Sequence, residues 1–159
     1  MYQLKRSVMI SRPLAEIFPF FEQPENHSKL TPPALHFTVL SPTPIVMKTG
    51  AQMDHRISLF GIPIHWRTLI TEYSPPSQAQ PDRARFQDEQ LKGPYKVWRH
   101  THLFQEVNGQ TAMTDIVDYD LYGGPFKVLA QALYVKRAIE EIFAYRNQIV
   151  RQLFSAPQP

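Results

Sequence analysis

His100 and His102 stand two residues apart, and Asp115 follows across a short polar break. An imidazole beside a carboxylate can move protons near neutral pH, because the carboxylate raises the histidine pKa and orients the ring. The break decides whether they meet. Asn108-Gly109 separates two alternating runs, and a two-residue type I′ turn needs φ > 0 at both central positions, which these residues supply. The reading is a hairpin over 98–119, with Phe104 facing Met113, His102 facing Asp115, His100 facing Val117 and Trp98 facing Tyr119. Alternation puts these eight side chains on one face and Arg99, Thr101, Leu103, Thr114, Ile116 and Asp118 on the other. Large aromatics mixed with two histidines and a carboxylate suit the wall of a partly polar cavity.

His102 and Asp115 are therefore the candidate acid/base pair. No nucleophile accompanies them, so mutual satisfaction in a half-buried wall, or orientation of a ligand, is the simpler role. His100-x-His102 with Asp115, and with His55 or His65 nearby, could hold zinc or non-haem iron. Alternate strand positions with an unfixed third ligand make a weak pattern, and no metal site is assigned. Arg146 falls in the apolar stripe of the last helix, between Ile142 and Ile149. A buried guanidinium demands an anion: Asp115, Asp88, Glu89 or the polar head of a ligand. The other reading is that it snorkels to water. Phe86-x-Asp88-x-Gln90 precedes Trp98, and the Lys92-Gly93-Pro94 turn leaves its face open. Trp66 and Trp98 fit a core, with cavity walls as the alternative. No phosphate loop, Ser-His-Asp order signature or cofactor fingerprint is present, so no cofactor is expected.

The elements that must position these residues read in order. Residues 2–10 alternate as a strand. Ser11-Arg12-Pro13 starts a short helix with Pro13 in its first turn and Ile17, Phe18, Phe20 and Phe21 on its buried side. Pro19 is awkward inside it. A second short helical stretch, 25–30, stops before Thr31-Pro32-Pro33. Strands follow at 36–40, at 51–60 and 64–73 about Gly61-Ile62-Pro63, and at 84–90, before the 98–119 hairpin. Gly123-Gly124-Pro125 opens a helix over 126–154 that no proline or glycine interrupts. Its apolar stripe is Val128, Val135, Ile139, Ile142, Ile149, Val150 and Leu153. At 1.5 Å per residue such a helix extends roughly 40 Å, enough to cross a sheet.

The 159 residues, 43% hydrophobic and 19% charged, suit one domain over 1–155 with a disordered tail, 156–159. The absence of cysteine excludes disulfides, cysteine-based zinc sites and a thiol nucleophile, and suits the cytoplasm, the expected location. The first residues carry no secretory leader pattern, and no apolar run approaches the roughly 20 residues of a membrane span. A net charge of +3 without a Lys/Arg block gives nucleic-acid binding little support.

Several strings in order resemble a known group: Leu30-Thr31-Pro32-Pro33, Phe86-Gln87-Asp88-Glu89-Gln90, Gly93-Pro94-Tyr95, Trp98-Arg99-His100-Thr101-His102, Thr114-Asp115-Ile116-Val117-Asp118-Tyr119 and Ile142-Phe143-Ala144-Tyr145-Arg146. The chain resembles the START-like (SRPBCC) superfamily, the group of birch pollen allergens, polyketide cyclases and coenzyme-Q-binding proteins. It looks closest to a bacterial ligand-binding subgroup. The resemblance implies an α+β helix-grip fold. In it a curved seven-stranded antiparallel sheet wraps a long C-terminal helix around a hydrophobic pocket, with two short helices after strand 1. Pro19 departs from that pattern. No single reaction is implied, since the fold serves binding, transport and catalysis.

The leading reading is a binding protein for a hydrophobic small molecule (lipid, isoprenoid or quinone, or polycyclic aromatic) with a polar or anionic end. Trp98, Phe104, Met113, Val117, Tyr119, Ile139 and Ile142 would line the cavity, and His100, His102, Asp115 and Arg146 would orient the ligand. The alternative is a cyclase or dehydratase in which His102, poised by Asp115, moves a proton while Arg146 or Tyr119 stabilises an oxyanion. A third reading is a protein-interaction module with a closed interior. The sequence leaves the oligomeric state open.

Overall fold

Seven strand-forming segments alternate through the computed structural model, which describes residues 1–124 and 126–155. They are β1 (Tyr2–Ile10), β2 (Thr38–Val39), β3 (Gln52–Leu59), β4 (Ile62–Ser74), β5 (Arg83–Lys92), β6 (Val97–Val107) and β7 (Gln110–Asp120). They pair antiparallel into one sheet of order β1-β7-β6-β5-β4-β3-β2. Helices α1 (Leu14–Phe21) and α2 (His27–Leu30) lie between β1 and β2. The chain then closes with α3 (Phe126–Ala130), a π-helical turn (Gln131–Val135) and α4 (Lys136–Ser155). This is the expected α+β arrangement of a seven-stranded curved sheet, short helices after the first strand, and a C-terminal helix against the sheet.

Asn108 and Gly109 take φ of 53° and 72°, and the expected pairs across β6 and β7 all form. The shared face is inward: every one of its eight side chains is buried except Trp98, which is half-buried. Two apolar clusters sit on it. In one, Leu14, Ile17, Phe18 and Phe21 of α1 pack on Val8, Phe86, Phe104, Met113 and Val150. In the other, Leu4, Val117 and Tyr119 pack on Ile139 and Phe143.

Several boundaries differ from the sequence reading. Pro13 is the N-cap of α1, not part of its first turn, and the Leu14 N–H is met from β6 by Glu106 Oε2 at 2.8 Å. Glu106→Ala is expected to cost about 1 kcal/mol, typical of a lost cap, as a lower urea midpoint. Pro19 does lie inside α1. The expected strand at 36–40 shrinks to two residues, because His36 takes a left-handed φ of 47°. Phe60 and Gly61, both at positive φ, make the β3–β4 turn, so Ile62 and Pro63 belong to β4. Pro63 lies beyond the last β4–β5 pair, Arg67 opposite Lys92, so its missing N–H removes no bond to β5.

The largest correction concerns the last helix. It is not one α-helical run over 126–154: the π-helical turn inserts a wider coil and shifts the phase of everything before it. Val128 is consequently 62% exposed and Gln131 is buried, its Nε2 donating to the Tyr119 hydroxyl at 2.6 Å. The buried stripe of α4 is Ile139, Phe143, Arg146 and Val150, while Leu153 is exposed. Pro125 and the expected tail at 156–159 fall outside the described residues. Among the described residues no helix is long and apolar enough to cross a membrane.

Candidate functional site

The even-numbered residues of β5 share the inward face with those of β6. Ala84 and Phe86 are apolar between Arg83, Arg85 and Gln87, so burial turns them in and brings Asp88 with them. Gln90 fixes the loop that follows: its Nε2 donates to the Tyr95 carbonyl at 2.7 Å, and its Oε1 accepts from the Tyr95 N–H at 3.2 Å. Phe86 then lies opposite His102, and Asp88 opposite His100.

A buried polar cluster results. His102 Nε2 is 3.0 Å from Asp88 Oδ2, and His100 Nδ1 is 3.8 Å from the same oxygen. On the far side, Asp115 Oδ1 is 2.9 Å from His100 Nε2 and 3.1 Å from His102 Nδ1. Arg146 descends from α4 and donates from Nε to Asp115 Oδ2 at 3.1 Å, with its terminal nitrogen 3.3 Å from His102 Nδ1. The imidazole centroids of His100 and His102 are 3.7 Å apart, and Phe86 stacks on His102 at 4.0 Å. Arg146 thus meets one of the partners expected for it, Asp115, and is buried rather than snorkelling.

The electrostatics follow from this packing. Burial alone would raise the Asp115 carboxyl, but the Arg146 guanidinium and the bonds from His100 and His102 more than offset it and hold it well below the usual range. Burial opposes Asp88 too, and the His102 bond with the other imidazoles lowers it. Burial, reinforced by His102, lowers His100 despite Asp115. Both carboxylates are ionised and the guanidinium cannot lose its proton. Neutral imidazoles would leave the cluster with one uncompensated negative charge.

Beside the cluster a cleft opens between the sheet and α4, in two adjoining lobes of about 60 Å³ and 120 Å³. Both are bordered by His27, Leu30, Phe37, His55, Thr68, Asp88 and Arg146. Phe86, Ile70 and Met53 extend the smaller lobe; Trp66, Tyr95, Trp98, His100 and Ile142 extend the larger. His55 is 7% exposed, sits between the rings of Phe37 and Trp66, and has no partner for Nδ1. Burial pushes its pKa down to about 4, so it stays neutral at pH 7. Burial also holds the half-buried His27 well below its ordinary value, with the Arg146 charge adding to the effect.

No protein-family model matches this sequence, and no curated protein matches it. Solved structures do. A protein from Chromobacterium violaceum superposes with a TM-score of 0.70 at 12% identity, covering 98% of each chain. One from Arthrobacter aurescens gives 0.69 at 15% identity, over 98% of this chain and 87% of that one. The ginseng (Panax ginseng) major latex-like protein 151 gives 0.66 at 10% identity, over 96% of this chain and 97% of its own. The chain has the START-like helix-grip fold. Identities this low speak for the fold and not for a shared ligand or reaction.

Within this helix-grip fold the expected lining residues divide. Trp98, His100, Ile142 and Arg146 border the cleft. Phe104, Met113, Val117, Tyr119 and Ile139 belong to the apolar clusters and do not border it. His102 and Asp115, the expected acid/base pair, are fully buried behind His100, Asp88 and Arg146 and are absent from the cleft wall. The cleft lies nearer β3, β4 and β5 than the hairpin alone indicated. Asp88 and His27 were missed as site residues. For Asp88 the alternation of Ala84 and Phe86 with charged neighbours was the available signal; for His27 there was none.

Proposed function

We propose that the cleft binds a hydrophobic small molecule with one polar end. A single observation carries this: apolar and aromatic walls from the sheet, α2 and α4 converge on two polar groups, the Asp88 carboxylate, which His102 also engages, and the unpartnered His55 Nδ1. Pockets that hold small molecules combine such walls with a few convergent polar groups. Phe37, Trp66, Tyr95 and Trp98 line the larger lobe with aromatic rings, Trp66 edge-on to Trp98 and Tyr95 tilted against both. Such faces and edges favour a flat ring system such as a quinone or polycyclic aromatic over a saturated chain. Burying about 300 Å² of apolar ligand would contribute roughly 7 kcal/mol before the costs of association.

The lobes are small for such a guest, so entry requires the cover to move outward. Residues 31–50 are suited to this, because β2 is only two paired residues long and the rest of the segment is held by scattered hydrogen bonds at Leu40, Ser41, Ile45 and Gly50. The test is native mass spectrometry of freshly purified protein against its denatured mass. A discrete excess mass, lost on unfolding, is expected, and Ile57→Phe, which adds bulk to the larger lobe, should reduce it. A bare native mass, with no uptake of quinones or fluorescent lipids at micromolar concentration, would remove this reading.

A further inference from the structure

We infer that Asp88, His100 and His102 form a binding site for a divalent transition-metal ion, zinc being the reference case. The inference does not depend on what fills the cleft. One ligand atom from each of Asp88, His100 and His102 lies within 4.8 Å of the other two, and Asp88 Oδ2 faces His102 Nε2 and His100 Nδ1. Two of the spacings, 3.0 and 3.8 Å, bracket those between ligand atoms that share a zinc ion at ~2.0–2.1 Å.

The second layer argues more strongly than the spacing. A metal-bound histidine usually donates its other N–H to a carboxylate, which fixes the tautomer and leaves the metal-side nitrogen as a lone pair. Here both distal nitrogens, His100 Nε2 and His102 Nδ1, fall on one oxygen of Asp115 at 2.9 and 3.1 Å. Arg146 holds the other oxygen of that carboxylate. If both histidines donate to Asp115, three lone pairs converge with no hydrogen between them. Without metal, a proton serves instead: Arg146 donates to His102 Nδ1, and His102 Nε2–H donates to Asp88. That arrangement leaves His100 Nδ1 with only the Asp88 carboxylate in front of it and one buried negative charge unbalanced. A divalent cation would give the His100 Nδ1 lone pair a partner and offset that charge, taking the cluster from net −1 to net +1. Asp88 and His100 also border the larger lobe, so the ion would face the cleft.

This differs from the His100–His102–Asp115 set considered from sequence. Asp115 is the orienting carboxylate, and Asp88 is the ligand.

The experiment is zinc titration of the chelator-stripped, full-length protein by calorimetry, with thermal melts alongside. One equivalent of zinc should bind and raise the melting temperature. Asp88→Asn and His100→Ala should abolish stoichiometric binding, and Asp115→Asn should weaken it by about 10–100-fold. His65→Gln, at the surface Asp54 pair, should bind as wild type. Asp88→Asn is nearly isosteric; its cooperative melt in chelator shows that it folds, and zinc should no longer raise it. No binding at millimolar zinc, or undiminished binding by Asp88→Asn, overturns the inference. Native masses of the same stripped protein separate the two proposals: an organic excess mass without zinc binding defeats only the metal site, and the reverse defeats only the hydrophobic ligand.

Discussion

Arg146→Met is expected to lower the unfolding free energy by about 3–5 kcal/mol, the usual cost of removing one partner from a buried ion pair. Methionine fills similar space, so the loss is electrostatic rather than a cavity effect. Asp115 is 1% exposed, and Arg146 is the largest single influence that keeps it ionised against its burial. Removing the guanidinium also takes away the terminal nitrogen that lies 3.3 Å from His102 Nδ1. The measurement is urea denaturation at neutral pH, read as a shifted midpoint at unchanged slope. Adding Asp115→Asn should restore part of the loss, because a neutral amide needs no counter-charge, and the two substitutions should be strongly non-additive. A loss for Arg146→Met below about 1 kcal/mol, ordinary for a surface change, would mean that Asp115 is protonated or hydrated in the folded protein.

The cluster that makes Arg146 so sensitive was half legible in the sequence. The β6–β7 register followed from two residues, because Asn108 and Gly109 leave the chain one tight turn and a period of two does the rest. Arg146 stood out because a charge amid Ile142, Ile149 and Val150 needs a partner. Asp88 was left open for an equally local reason: the β5–β6 connection is held by the Gln90 side chain, and no turn motif records that. The helix boundaries failed where spacing looks uniform. Nothing between Phe126 and Ser155 breaks a helix, yet the turn at Gln131–Val135 is π-helical and rotates Val128 to solvent. The cleft itself was the least legible feature. It depends on how β3 and β4, towards the far edge of the sheet, come to face α2 and α4, and those elements are distant in sequence. Reading the hairpin alone made its whole inner face a cavity wall, whereas α1 and α4 fill most of it.

The second large effect is expected in acid. His55 is neutral in the folded protein down to about pH 4, while an unfolded histidine titrates near 6.5. Above the unfolded value both states are neutral and His55 contributes no pH dependence. As pH falls through 6.5 the unfolded chain takes up a proton that the folded protein refuses, so stability declines by up to about 1.4 kcal/mol per pH unit. The decline from this residue ends near pH 4, where the folded imidazole also charges, after a total of about 3 kcal/mol. The charges around it are mixed: Asp88 and Asp54 favour its protonation and His65 opposes it, but burial outweighs them. His27 and His100 are lowered too and push in the same direction, and Asp88 and Asp115 add their loss only at lower pH, where unfolded carboxylates protonate. His55→Phe keeps a ring between Phe37 and Trp66 and removes the titration. Wild type should therefore lose about 2 kcal/mol more than His55→Phe between neutral pH and about pH 5, by urea denaturation at each. Equal losses in the two proteins would show that His55 carries its proton inside the fold.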